Sequence, residues 1–167
     1  LFGSTQGGDA QAARQRATYR VLGELIRQFV AVLLQETHGT FADIATLRHI
    51  YPNHPIFGSF SPSGRGSGLV FVICRELARE YDIENEGQVV VRHIVQGRVA
   101  SVRFPATARL MALELTNIHF EVELDAGAAG HYAARSALAE SILRGLSSRS
   151  SAHTLLAGDW NSTASDD

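Results

Sequence analysis

Cysteine is nearly absent from this 167-residue chain, with Cys74 standing alone. One thiol cannot close an internal disulfide, which excludes an oxidised scaffold and a cysteine-rich zinc site and favours a reducing compartment. Long apolar runs are lacking as well. No stretch approaches the ~18 residues that a membrane-crossing helix needs. The first residues show no basic-then-apolar signal pattern, so neither a membrane span nor a secretory leader is expected. A strong charge of one sign is also missing: 15 Lys and Arg against 17 Asp and Glu leave a formal net charge of −2. Such a chain has no bulk attraction for polyanions, and any nucleic-acid binding has to come from a local site. The marks of disorder are absent too, since 45% of the residues are hydrophobic and 19% charged. The length suits one domain or part of a larger one. The start at Leu1, without Met, reads as a cut.

What is present is strongly patterned. Leu1 to Asp9 reads as loop, and Ala10 to Phe29 as an amphipathic helix with Leu22, Leu25, Ile26 and Phe29 on one face and Arg14, Arg16 and Arg20 on a solvated one. Val30 to Leu34 is a continuous apolar run suited to a buried strand. Thr40 to Ile50 reads as a short helix, closed by the two prolines of Tyr51 to Pro55. Gly58 to Gly68 reads as a glycine- and serine-rich loop, too irregular for a P-loop or dinucleotide fingerprint. Strands are expected over Leu69 to Ile73, Gln88 to Val95, Arg98 to Phe104 and Arg109 to Leu115, with a hairpin turn at Gly97. A second helix is expected over His131 to Leu146, and a short buried strand over His153 to Ala157. Helices covering a sheet with a hairpin-like middle make an α/β fold with mixed pairing.

Three apolar strands run into polar groups. Leu34 is followed by Gln35-Glu36, Leu115 by Thr116-Asn117-Ile118-His119, and Leu156 by Ala157-Gly158-Asp159-Trp160-Asn161. Sites in α/β sheets form where strand ends converge. Asn117 and His119, like Asp159 and Asn161, are two apart, so each pair points to one side of an extended segment. These types suit metal-assisted phosphoester hydrolysis. Glu36 offers an oxygen ligand to a hard cation, Asp159 can orient and deprotonate water, and His119 and Asn161 can contact a phosphate. Each also has an ordinary reading: a solvated strand end for Glu36, a turn residue for Asp159, a satisfied structural histidine for His119 and a turn cap for Asn161.

Taken together, Val32-Leu33-Leu34-Gln35-Glu36-Thr37-His38, the Gly-Arg loop entering a strand, Thr116 to His119 and Leu155 to Asn161 resemble the endonuclease/exonuclease/phosphatase superfamily. Within it they look most like the apurinic-like endonuclease domains of LINE-type non-LTR retrotransposons. The resemblance implies a four-layer, DNase-like α/β sandwich of two mixed β-sheets flanked by helices, with residues 1–167 a single incomplete domain cut at both ends. It implies Mg²⁺ (or Mn²⁺) on Glu36, water activated by Asp159 and positioned by Asn161, and a phosphate contact from His119, where retroelement members often carry tyrosine. Asn117 and Gln35 take supporting parts, and Asp166 or Asp167 matches a later acidic residue. The family's first strand, ending in a metal-holding asparagine, and its closing aspartate-histidine pair have no counterpart here, which implies that these residues are inactive alone. Phe120-Glu121-Val122 stands where retroelement members often have proline-asparagine. The implied function is DNA nicking that primes reverse transcription, with DNA as partner, no membrane, a reverse-transcriptase domain in the same polyprotein and intracellular, nuclear action. The alternatives are a phosphoesterase of the same superfamily acting on RNA, inositol phosphates or a lipid phosphodiester, and a decayed, non-catalytic copy.

Overall fold

The computed structural model describes residues 8–62, 68–83, 86–120, 128–147 and 152–160. The chain opens with helix α1 (Gly8–Gln28), which buries Leu22 and Ile26 and exposes Arg14, Arg16 and Arg20 as its periodicity predicts. Strand β1 (Ala31–Leu34) leads to α2 (Phe41–Ile50), whose start is fixed by Asp43: its Oδ2 accepts from the Thr40 backbone N–H at 2.7 Å and from the Thr40 hydroxyl at 2.9 Å. Strands β2 (Ile56–Phe60) and β3 (Gly68–Ile73) follow, then the short helix α3 (Arg75–Glu80), where the Cys74 sulfur accepts from the Leu77 N–H. The second half comprises β4 (Val90–Val95), β5 (Val99–Phe104), β6 (Ala112–His119), α4 (Ala128–Ser147) and β7 (Ala152–Asp159).

The strands form two sheets. The first, in the order β1-β3-β2, is antiparallel throughout; the second, β4-β5-β6-β7, is mixed, because β7 joins β6 in parallel. Period-two alternation builds the layers. Phe57, Leu69, Phe71 and Ile73 of the first sheet meet Ala100, Val102, Phe104 and Leu115 of the second in the central core. On the first sheet's other face Val32, Ile56, Phe60, Val70 and Val72 pack under α1 and α2 through Leu22, Ile26, Ile44 and Leu47. On the second sheet's other face Val99, Ile118 and Phe120 receive Ile142 of α4. Helices, sheet, sheet, helix is the expected four-layer α/β sandwich. Full burial of side chains such as Phe71 and Phe104, both 0% exposed, stabilises it by about 1.5–3 kcal/mol each.

Three local readings need correction. Ile56–Phe60, read partly as loop, is a strand buried along its whole length. Arg75–Glu80 is a helix that the sequence reading left out. The segment at His153 to Ala157 is a strand but not a buried one: among the described residues β7 lies at an edge of its sheet, and Leu155 is 57% exposed. Among the described residues no helix is long and apolar enough to cross a membrane.

Candidate active site

Strand direction brings the flagged residues to one end of the sandwich. Because β1 and β3 are antiparallel, with Leu34 opposite Val70, the end of β1 meets the beginning of β3. Because β6 and β7 are parallel, they end together, with His119 opposite Asp159. The β4–β5 turn lies at the same end, since Val99 pairs with Ile118.

Thr116 to His119 do not lie beyond β6, as the sequence reading placed them, but inside it, and all four are buried. Asn117 shares the inner face with Leu115 and reaches across the gap between the sheets. Its Nδ2 donates to the Leu34 carbonyl at 3.0 Å and the Val70 carbonyl at 3.5 Å, and its Oδ1 accepts from Gln35 Nε2 at 2.6 Å. One side chain thus ties β6 to both β1 and β3 and occupies both amide hydrogens. Gln35 is held inward by the same network.

His119, 3% exposed, lies one step further along that face. Its Nδ1 is 3.1 Å from an Arg98 guanidinium nitrogen, and its Nε2 is 3.2 Å from Glu36 Oε1. A guanidinium only donates, so Nδ1 is the acceptor and the ring proton sits on Nε2, directed at the Glu36 carboxylate. Arg98 grips the same residue through its backbone, where its carbonyl accepts from the His119 N–H at 2.8 Å. The turn that carries Arg98 is anchored in turn: buried Ser59 Oγ of β2 accepts from the Gly97 N–H at 3.2 Å and meets His93 Nδ1 at 2.9 Å. Gly97 has φ +73°, which glycine adopts without steric cost.

Glu36 is held in the left-handed region, φ +51°, and His38 likewise at φ +43°. Such conformations cost about 1–2 kcal/mol each in non-glycine residues and persist where surrounding contacts over-determine them. Between them Thr37 is buried and its N–H donates to the Gly68 carbonyl at 3.1 Å. The chain therefore bends sharply after β1, leaving the Glu36 side chain 64% exposed beside His119.

Asp159 closes the group. As the register partner of His119 it occupies the same face of the second sheet, and its carbonyl accepts from the Phe120 N–H at 2.9 Å. The preceding Gly158 has φ +152° and runs so close to β6 that a Cβ there would lie 1.9 Å from the Ile118 carbonyl oxygen. The glycine of Gly-Asp-Trp-Asn is thus a condition for Asp159 standing next to His119.

The structure therefore gathers Gln35, Glu36, Asn117, His119 and Asp159. Asn161, Asp166 and Asp167 lie outside the described residues, as do Ser63 to Ser67 of the glycine-rich loop. Sequence reasoning missed Arg98 and Ser59. Gly97 flagged the turn, but nothing in the sequence announces contacts that span 21 and 38 positions. Cys74 has no part here: it sits at the far end of β3, and burial pushes its thiol pKa up, which disfavours the reactive thiolate.

The donor set suits a hard divalent cation. Among the described residues no group of three or more His, Cys, Asp or Glu side chains is placed to hold a metal ion. The exposed Glu36 carboxylate, with Asp159 nearby on the facing sheet, instead offers the one or two carboxylates with which Mg²⁺ is content when water and a substrate phosphate complete its shell. When bound, such an ion neutralises charge building on a phosphoryl oxygen.

A model of the endonuclease/exonuclease/phosphatase family matches residues 5–167. The match spans nearly the whole chain, which therefore belongs to that family of hydrolases acting on phosphodiester bonds, generally with divalent metals. No curated protein matches the chain.

Proposed function

We propose that this domain is a metal-dependent endonuclease that nicks DNA, the nuclease part of a retrotransposon polyprotein that also carries a reverse transcriptase and acts in the nucleus. The observation that carries the reading is the convergence of Glu36, His119 and Asp159 at one end of the sandwich, with Glu36 in a costly left-handed backbone and the His119 ring held between Arg98 and Glu36. Glu36 holds Mg²⁺ or Mn²⁺. Asp159 orients and deprotonates the attacking water, assisted by Asn161. His119 gives its Nε2–H to Glu36 in the free domain and turns it to a phosphate oxygen, where negative charge accumulates, when substrate is bound; Arg98 and Asn117 keep that imidazole and its strand in place. The Gln-Glu-Thr-His and Gly-Asp-Trp-Asn motifs support the choice of retroelement endonuclease.

A second reading keeps the family and changes the substrate to an RNA, inositol phosphate or lipid phosphodiester. His119 favours it, since phosphatase-like members commonly have histidine where retroelement members have tyrosine. Incubating the full-length protein and Mg²⁺ with supercoiled plasmid, and in parallel with soluble phosphoesters, separates the two. Conversion of plasmid to the nicked circle supports the endonuclease. Turnover of the small phosphoesters with intact plasmid overturns it in favour of the second reading.

A further inference from the structure

Phe41 is the most exposed large apolar side chain among the described residues, at 64%. It opens α2, a position that tolerates polar residues well, at the same end of the sandwich as Glu36 and five residues after it. The ring does not stand free. It packs at right angles to Phe60, with centroids 5.3 Å apart, and Phe60 is only 6% exposed. Phe60 in turn is wedged over two glycines: a Cβ on Gly68 would lie 2.5 Å from its ring and 2.5 Å from Thr37 Oγ1, and one on Gly58 would lie 2.7 Å from it. Thr37 adjoins Glu36 and bonds to Gly68. A buried aromatic thus supports an exposed one, and Phe60 and Thr37, the residue next to the candidate metal ligand, both crowd against Gly68.

Scattered exposed hydrophobics are ordinary; a rigidly backed aromatic ring five residues along the chain from a candidate metal ligand has a chemical match in a nucleobase. The chain's net charge of −2 gives phosphates no bulk attraction, and stacking adds affinity that does not depend on charge and tolerates any base. We propose that Phe41 is a stacking platform for an unpaired nucleobase of the strand bound across the active-site end. The proposal rests on the endonuclease reading and narrows its ligand to nucleic acid with a locally unstacked base.

The test is binding of the full-length protein, with EDTA to prevent cleavage, to a single-stranded oligonucleotide and to an oligomer of the same length and charge with abasic residues, read by fluorescence anisotropy. The wild type is expected to prefer the base-containing strand by about 5- to 150-fold, the equivalent of stacking one base. Phe41→Ala should erase the preference and Phe41→Trp should retain it, at unchanged affinity for the abasic strand; that affinity also reports a folded protein. A preference that survives Phe41→Ala, or is absent from the wild type, overturns the platform. If the plasmid is still nicked in that case, the endonuclease reading stands without it. If the protein neither binds the oligomers nor nicks plasmid, both fall.

Discussion

Replacing Gly158 with alanine tests whether the spacing between β6 and β7 sets the position of Asp159. The added methyl would sit 1.9 Å from the Ile118 carbonyl oxygen and 2.7 Å from its carbonyl carbon and amide nitrogen, where real Cβ contacts do not fall below 3.0 Å. All three are backbone atoms of a buried strand and none can swing aside, so β7 must retreat by the shortfall, 3.0 less 1.9, or about 1.1 Å. That stretches the Phe120 N–H to Asp159 carbonyl bond from 2.9 Å to about 4 Å, beyond hydrogen-bond range. The lost bond and a side chain forced to φ +152° cost about 2–4 kcal/mol together. At this chain length that lowers Tm by about 5–15 °C. Asp159 moves with its strand, and a displacement of about 1 Å costs on the order of 10² in rate. Thermal unfolding and Mg²⁺-dependent plasmid nicking by the full-length Gly158→Ala protein measure the two effects. A variant that melts and nicks like the wild type refutes the close approach and, with it, the placement of Asp159 beside His119.

Asn117→Ala strips hydrogen-bond partners from Gln35 and from the Leu34 and Val70 carbonyls. The expected loss is about 2–4 kcal/mol in urea unfolding, and an unchanged midpoint would contradict the role of Asn117 as the tie between sheets. Alkali should destabilise the fold. Burial raises the pKa of Cys74 above its ordinary 9.0 and of Tyr51 and Tyr81 above 10.0, and the Tyr81 hydroxyl donates to the Met111 carbonyl, as the Tyr51 hydroxyl does to that of Tyr19. Groups raised in the folded state contribute stability that is complete below their unfolded values, so stability is lost as pH climbs above about 9–10 through the higher folded values. Urea midpoints that stay flat across that range would refute this. Iodoacetamide should label Cys74 only as fast as the protein opens, and prompt labelling of the native protein would show the thiol to be accessible.

Glu36 was legible because a run of five apolar residues, Val30 to Leu34, ends abruptly in Gln-Glu, and Asp159 because Leu155 to Gly158 ends in Asp-Trp-Asn. The two helices with clear periodicity were legible for the same reason: burial of one face imposes the pattern. Strand β2 was hidden because Gly58 and Ser59 look like loop residues. Gly58 leaves room for the Phe60 ring, and Ser59 satisfies its hydroxyl across the sheets. The polar end of β6 looked like a strand terminus for a similar reason. Asn117 and His119 remain in a buried strand because partners on β1, β3 and the β4–β5 turn satisfy them, and those partners are 21 to 83 positions away. β7 looked buried from its leucines, but among the described residues it lies at an edge of its sheet, and Leu155 is exposed. Period and motif are local quantities; closure between two sheets is not.

The most direct test of the central claim is the initial rate of Mg²⁺-dependent plasmid nicking by the full-length protein and its Glu36→Ala and Asp159→Ala variants, each checked for a wild-type melting curve. Loss of a group that stabilises or activates at the reacting phosphate should lower the rate by about 10²–10³-fold in either variant. Nicking at the wild-type rate by a folded variant would contradict the assignment of that carboxylate to the active site.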